Sequence, residues 1–206
     1  MKKLQIIIVC LFICFFLSGC AYSKISSFTD PNWELREFQK ILVYIPFDDF
    51  SVQIAAEDSL VNKLQEKNVN ATPFYKVFPP TKECSGEYFA DKVLENGFDG
   101  MITVAVTDYY TNTFTIPETT ETTGEITSFG GPRTNISATT TKSGGQTFST
   151  PNVIFEIELF DLNIIDVVWI ANSHTTGNAF AKSKDIFSSL SDKLVDKLQE
   201  DGIIIK

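Results

Sequence analysis

The chain has 206 residues, of which 43% are hydrophobic and 13% aromatic, and a formal charge of −9 at pH 7. That length suffices to bury the core of one domain with accessories, and the acidic balance excludes nucleic acid as a partner, because phosphate backbones bind cationic surfaces. One histidine, and a single cysteine beyond residue 20, make a poor ligand set for zinc, so neither a metal nor a cofactor is expected.

The chain starts Met1, Lys2, Lys3, followed by an apolar run from Leu4 to Leu17 and then Ser18-Gly19-Cys20. A charged start before a short apolar core is the pattern of a secretory signal. The run falls short of the roughly 20 residues that a membrane-spanning helix needs. Leu17-Ser18-Gly19-Cys20 resembles the lipobox of bacterial lipoproteins. The resemblance implies that residues 1–19 are a cleaved signal peptide and that the Cys20 thiol carries diacylglycerol. Acyl chains would then anchor the mature chain to a membrane without a span. In that family an aspartate after the cysteine retains the protein at the inner membrane. Ala21 stands there, which implies the periplasmic side of an outer membrane in an organism that has one. Cys10 and Cys14 leave with the signal and Cys20 takes lipid, so Cys84 has no disulfide partner. Loss of Lys2 and Lys3 takes the formal charge to −11.

Residues 20–40 read as a polar, lipidated tether broken by Pro31, with Trp33, Leu35 and Phe38 docking its end on the domain that spans 41–206. Ile41 to Ile45 is a buried strand ended by Pro46. Asp48, Asp49 and Ser51 offer caps to a helix whose apolar stripe is Val52, Ala56, Leu60, Val61 and Leu64, with Glu57, Asp58, Lys63 and Glu66 on its other side. A strand over Ala71–Val77 precedes Pro79-Pro80. Phe89, Val93 and Leu94 mark a second helix that Asn96-Gly97 terminates, and Gly100–Tyr109 is a third strand. Strands alternating with helices argue for parallel pairing.

About 40 residues, 111–150, then interrupt the pattern, fourteen of them threonine. Alternation at Thr113–Ile116 and Thr147–Ser149 predicts a ribbon at the base, and the glycines at 130, 131, 144 and 145 predict a mobile tip from about Ser128 to Gly145. A solvated ribbon, a partner-binding arm and a membrane-inserting hairpin all fit such a loop, though its alternate Thr, Asn and Ser positions are polar for the last. Val153, Phe155, Ile157 and Leu159 alternate with Glu156 and Glu158. A turn over Asp161–Ile165 leads to Asp166–Ser173, giving an antiparallel hairpin. A helix from about Lys184 to Glu200 closes the chain, with Ile186, Phe187, Leu190, Leu194 and Leu198 as its stripe and Gly202 as its stop.

The expected fold is therefore a single α/β domain with a mixed, roughly five-stranded sheet in the order β-α-β-α-β-β-β-α, three main helices and the threonine-rich insertion. Gly97-Phe98-Asp99-Gly100, Leu159-Phe160-Asp161 and Val168-Trp169 resemble uncharacterised envelope lipoproteins. These are of the type of the TolB amino-terminal domain, the curli-secretion lipoprotein and the lipoproteins that activate penicillin-binding proteins. The resemblance implies a scaffolding role in the envelope and carries over no catalytic residue.

Catalytic readings are weak. His174 and Cys84 would make a nucleophile–base pair, but Glu83 beside Cys84 works against a thiolate. Asp48 and Asp49 would suit paired-carboxylate chemistry and suit helix capping better. Glu118, Glu121 and Glu125 lack the spacing of a calcium loop. The expected function is a lipid-anchored, non-catalytic interaction module of the cell envelope, binding a protein partner or a second copy. An oligomeric export component and a cell-wall hydrolase are the alternatives, and convergent polar groups in a cleft would favour the hydrolase.

Overall fold

The computed structural model describes residues 19–128 and 134–204, with the side chains of 122–140 outside that description. The expected signal peptide falls almost wholly on residues 1–18, outside the described residues. Six strands form one mixed sheet: β1 (Ala21–Thr29), β2 (Ile41–Tyr44), β3 (Ala71–Pro73), β4 (Gly100–Ile116), β7 (Gln146–Asp161) and β8 (Asp166–Gly177), in the spatial order β1-β8-β7-β4-β2-β3. Among the described residues four helices accompany it: α1 (Phe50–Glu66), the single turn α2 (Phe74–Val77), α3 (Gly86–Asn96) and α4 (Ser183–Glu200). β2 pairs in parallel with β3 and β4, and β8 pairs antiparallel with β1 and β7. This is the mixed α/β domain expected, with one strand more.

The added strand corrects the tether. Residues 21–29 pair along β8 from Ala21↔Gly177 to Thr29↔Trp169. The sequence hid this strand because its inward positions include Ser23 and Ser27. Ser23 Oγ lies 2.7 Å from Thr175 Oγ1 and 2.9 Å from Ser189 Oγ, and Ser27 Oγ donates to Asp201 at 2.5 Å. Small hydroxyl side chains let α4 approach the strand closely while each polar group finds a partner, which removes the cost of burying it. Of the three residues expected to dock, Trp33 and Phe38 stack at 5.8 Å between ring centroids, whereas Leu35 is exposed.

The main core lies between the sheet and helices α1 and α4. Phe155, Ile157, Leu159 and Trp169 from the hairpin meet the α4 stripe, in which Leu194 and Leu198 are fully buried. Each such leucine contributes about 1.5–3 kcal/mol relative to exposure. Adjacent side chains on a strand alternate faces, so Leu42 turns to the opposite side of the sheet and joins Phe78, Val93 and Phe98 in a second cluster under α2 and α3. The strand expected over 71–77 stops at Pro73. Phe74–Val77 coils into α2 instead, and the Phe74 and Phe78 rings stack at 4.5 Å. Gly97, at φ +68°, ends α3 in the left-handed conformation as expected, while Leu94 faces solvent.

The sheet is covered unevenly. α2 and α3 shield the outer face only across β2, β3 and the start of β4. Over β1, β8 and β7 that face carries cross-strand rows open to solvent: Lys24–His174–Ile154, Ser26–Asn172–Glu156 and Phe28–Ile170–Glu158.

The segment Asn112–Ser149 is a second compact unit. Within it β5 (Thr119–Ser128) pairs antiparallel with β6 (Thr134–Ser143), from Thr119↔Ser143 to Ser128↔Thr134. The mobile tip expected over 128–145 is thus corrected for 134–143, which is paired strand; residues 129–133 lie outside the described residues. Gly144 and Gly145, at φ +99° and +72°, bend the chain from β6 into β7. A Cβ on Gly144 would stand 2.2 Å from the Pro117 carbonyl oxygen, so that glycine serves a close backbone approach.

Candidate functional site

Cys20, the predicted lipidation residue, is exposed and stands directly before β1. Its carbonyl accepts the N–H of Asn178 at 2.8 Å, so the cysteine is held to the loop between β8 and α4. Gly19 lies against the same loop. A Cβ there would meet Asp185 Oδ2 at 2.5 Å and the Phe180 carbonyl oxygen at 2.9 Å. Asp185 also accepts the N–H of Lys182 at 2.8 Å, which fixes the first turn of α4. A groove of about 370 Å³ beside Cys20 is lined by residues including Tyr22, Ser189, Asp192 and Lys193. The thiol is therefore placed at the surface.

His174 lies on the open sheet face. Its Nε2 is 3.3 Å from the Tyr110 hydroxyl and 3.2 Å from Asn152 Oδ1, and Thr176 Oγ1 donates to the same Asn152 oxygen at 2.8 Å. Cys84 lies elsewhere, in a pocket of about 220 Å³ lined by Tyr44, Phe74, Phe78 and Pro79 among others. The fold does not bring the two residues together. Asp49 caps α1, accepting the Ser51 N–H at 2.8 Å and its hydroxyl at 2.7 Å, and Asp48 is exposed. In the insertion Glu118 pairs with Lys142 at 3.0 Å and Glu121 faces solvent; the side chain of Glu125 lies outside the described residues.

The structure corrects Glu57, which is fully buried. One carboxylate oxygen accepts from Gln53 Nε2 at 2.9 Å and the Ile45 N–H at 3.4 Å, and the other accepts the Tyr75 N–H at 3.1 Å. Burial pushes its carboxyl upward, and these hydrogen bonds offset part of that rise. Burial, then the Glu57 charge, raises the Tyr44 hydroxyl as well. With both oxygens occupied by donors, the arrangement positions α2 against β2 rather than presenting a reactive group. A signal for its burial was available: 57, 60, 61 and 64 themselves follow the i, i+3, i+4, i+7 spacing of a buried stripe.

Two further carboxylates escaped the sequence reading. Asp161 accepts from Trp33 Nε1 at 3.1 Å and from Arg36 Nε at 2.7 Å, with Arg36 Nη2 on its other oxygen. Asp201 accepts from Trp169 Nε1, Ser27 and Lys197. Both fasten the end of the sheet opposite Cys20.

No protein-family model and no curated protein matches the sequence. Among solved structures, the chain is similar to the PelC dodecamer from Paraburkholderia phytofirmans at 15% identity and a TM-score of 0.49, over 86% of this chain and 97% of that one. It is also similar to lipoprotein GNA1162 from Neisseria meningitidis at 15% identity and a TM-score of 0.43, over 78% and 98% of the two chains. At this level of identity and superposition, neither activity nor partner passes from those proteins to this one. Among the described residues no helix is long and apolar enough to cross a membrane.

Proposed function

We propose that this chain is a lipid-anchored, non-catalytic interaction module of the bacterial cell envelope, attached through Cys20 and offering its open sheet face to a protein partner. The observation that carries the reading is the setting of Cys20. The residue that the lipobox resemblance singles out is exposed, and its backbone is held to the folded domain. The open face supports the second half of the reading, because Tyr22, Phe28 and Ile170 are 58%, 61% and 42% exposed on adjacent strands β1 and β8. Ala21 in place of aspartate supports the outer membrane as the location.

Cys20→Ala tests the anchor. The variant precursor is expected to stay uncleaved by the lipoprotein peptidase and unlabelled by fatty acid, and normal acylation would refute the assignment. Capture from envelope extracts with Ile170→Glu as control tests the face, since a charge there, beside Phe28, is expected to abolish binding. The non-catalytic reading predicts that Cys84→Ser with His174→Gln folds and keeps its cellular role. Loss of function in the folded double variant would restore a catalytic reading. Self-association as an export component is the second reading, supported by the same exposed Tyr22, Phe28 and Ile170, and light scattering on the acylated chain decides it.

A further inference from the structure

Resting on the anchor reading, we infer that the end of the domain carrying Cys20 is itself a membrane-contact surface for an anionic bilayer. Phe180 enters the head-group region and Lys182 and Lys184 face the lipid phosphates. The pairing of residues 21–29 as strand β1 is what forces this. One residue spans at most about 3.6 Å, and Cys20 is followed at once by β1, whose first pair is Ala21↔Gly177. A lipid on Cys20 therefore leaves no spacer between the bilayer and the loop that holds the cysteine. That loop is ordered by its own hydrogen bonds: Phe180 N–H donates to Asn178 Oδ1 and Ala181 N–H to the Asn178 carbonyl, each at 3.0 Å. It nevertheless presents Phe180 half exposed, a bulky apolar side chain of the kind that buries at the boundary between head groups and acyl chains.

Charge supports the same orientation. Lys182 and Lys184 are exposed beside Phe180, while the nearby acids are engaged: Asp185 by the Lys182 N–H and Asp192 by Lys63 at 3.1 Å. Asp30, Asp161, Asp166 and Asp201 cluster at the other end of β1, β8 and α4. The twelve residues of β8 separate the ends by about 40 Å, several times the Debye length of about 8 Å at physiological salt. Anionic lipid therefore meets the local lysines and not the overall charge of −9.

The test uses the full chain, acylated in its host and reconstituted in phosphatidylethanolamine–phosphatidylglycerol vesicles with brominated acyl chains. In Phe180→Trp the new indole is expected to be quenched about twofold, as for a ring at the acyl boundary. Emission of Trp33 and Trp169, at the far end, is expected to be unchanged. Adding Lys182→Glu and Lys184→Glu is expected to remove at least half of that quenching. Acylated protein, shown by mass, whose indole at 180 is unquenched overturns the contact surface and leaves the anchor standing. Absence of acylation overturns both.

Discussion

The indole N–H of Trp169 donates to the Asp201 carboxylate at 2.8 Å, joining β8 to the residue that ends α4. Ser27 of β1 and Lys197 of α4 donate to the same carboxylate at 2.5 and 2.7 Å, so three elements meet on one side chain. Asp161 plays the same part for Trp33 and Arg36. Burial works to raise both carboxyls, but these donors hold them below the ordinary aspartate range.

The pH dependence follows from the sign. A carboxyl whose folded pKa lies below its unfolded value of about 3.9 contributes stability above that value and loses it as pH falls through the folded one. Asp161→Asn and Asp201→Asn are therefore expected each to lower stability at pH 7 by about 1–2 kcal/mol. Each is also expected to reduce the loss between pH 5 and pH 2. Glu57, raised by burial, contributes with the opposite sign and is common to parent and variants. Urea unfolding across that range checks it, and slopes equal to the parent's would contradict it.

Among the described residues, Ser173 Oγ is a buried hydroxyl without a hydrogen-bond partner. Leaving such a group dry costs about 1–3 kcal/mol. Ser173→Ala is expected to raise the melting temperature by about 2–4 °C, read by circular dichroism. A decrease would mean that the hydroxyl is satisfied in solution.

Removal of residues 1–29 tests whether β1 belongs to the domain. Its loss strips the β8 edge and orphans Thr175 and Asp201 partners. A drop of about 3 kcal/mol or more in unfolding free energy is expected from lost burial and hydrogen bonds. An unchanged urea midpoint would restore the free tether.

Replacement of Asn112–Ser149 by an Asn-Gly turn is expected to leave a cooperatively folding domain, because that segment is a compact unit by itself. Closing a shorter loop changes the entropy by only about 0.6 kcal/mol per halving. Amide exchange on the parent is expected to show β5 and β6 protected as a pair. Unfolding of the shortened chain would place the insertion in the core.

The sequence by itself determined what depends on neighbouring residues. The stripe at 186, 187, 190, 194 and 198 marked α4, Gly97 marked the end of α3, and the alternation from Val153 to Leu159 marked β7. Periodicity reports which side of an element is apolar, and that information lies within about four residues. The order of residues around Cys20 is local in the same sense.

Tertiary structure decided what depends on residues far apart in the chain. Ser23 meets Thr175 across 152 positions and Ser189 across 166, so a strand with serines inside looked like a tether until its partners were in place. The groups that satisfy Glu57 once it is buried are the backbone N–H groups of Ile45 and Tyr75, and no local pattern records donors supplied by other elements. Which half of the sheet stays uncovered, and that Phe180 stands beside Cys20, follow from strand order and from the path of α4. Those are set by the packing of whole elements against one core, where apolar burial is non-directional and any matching face can compete.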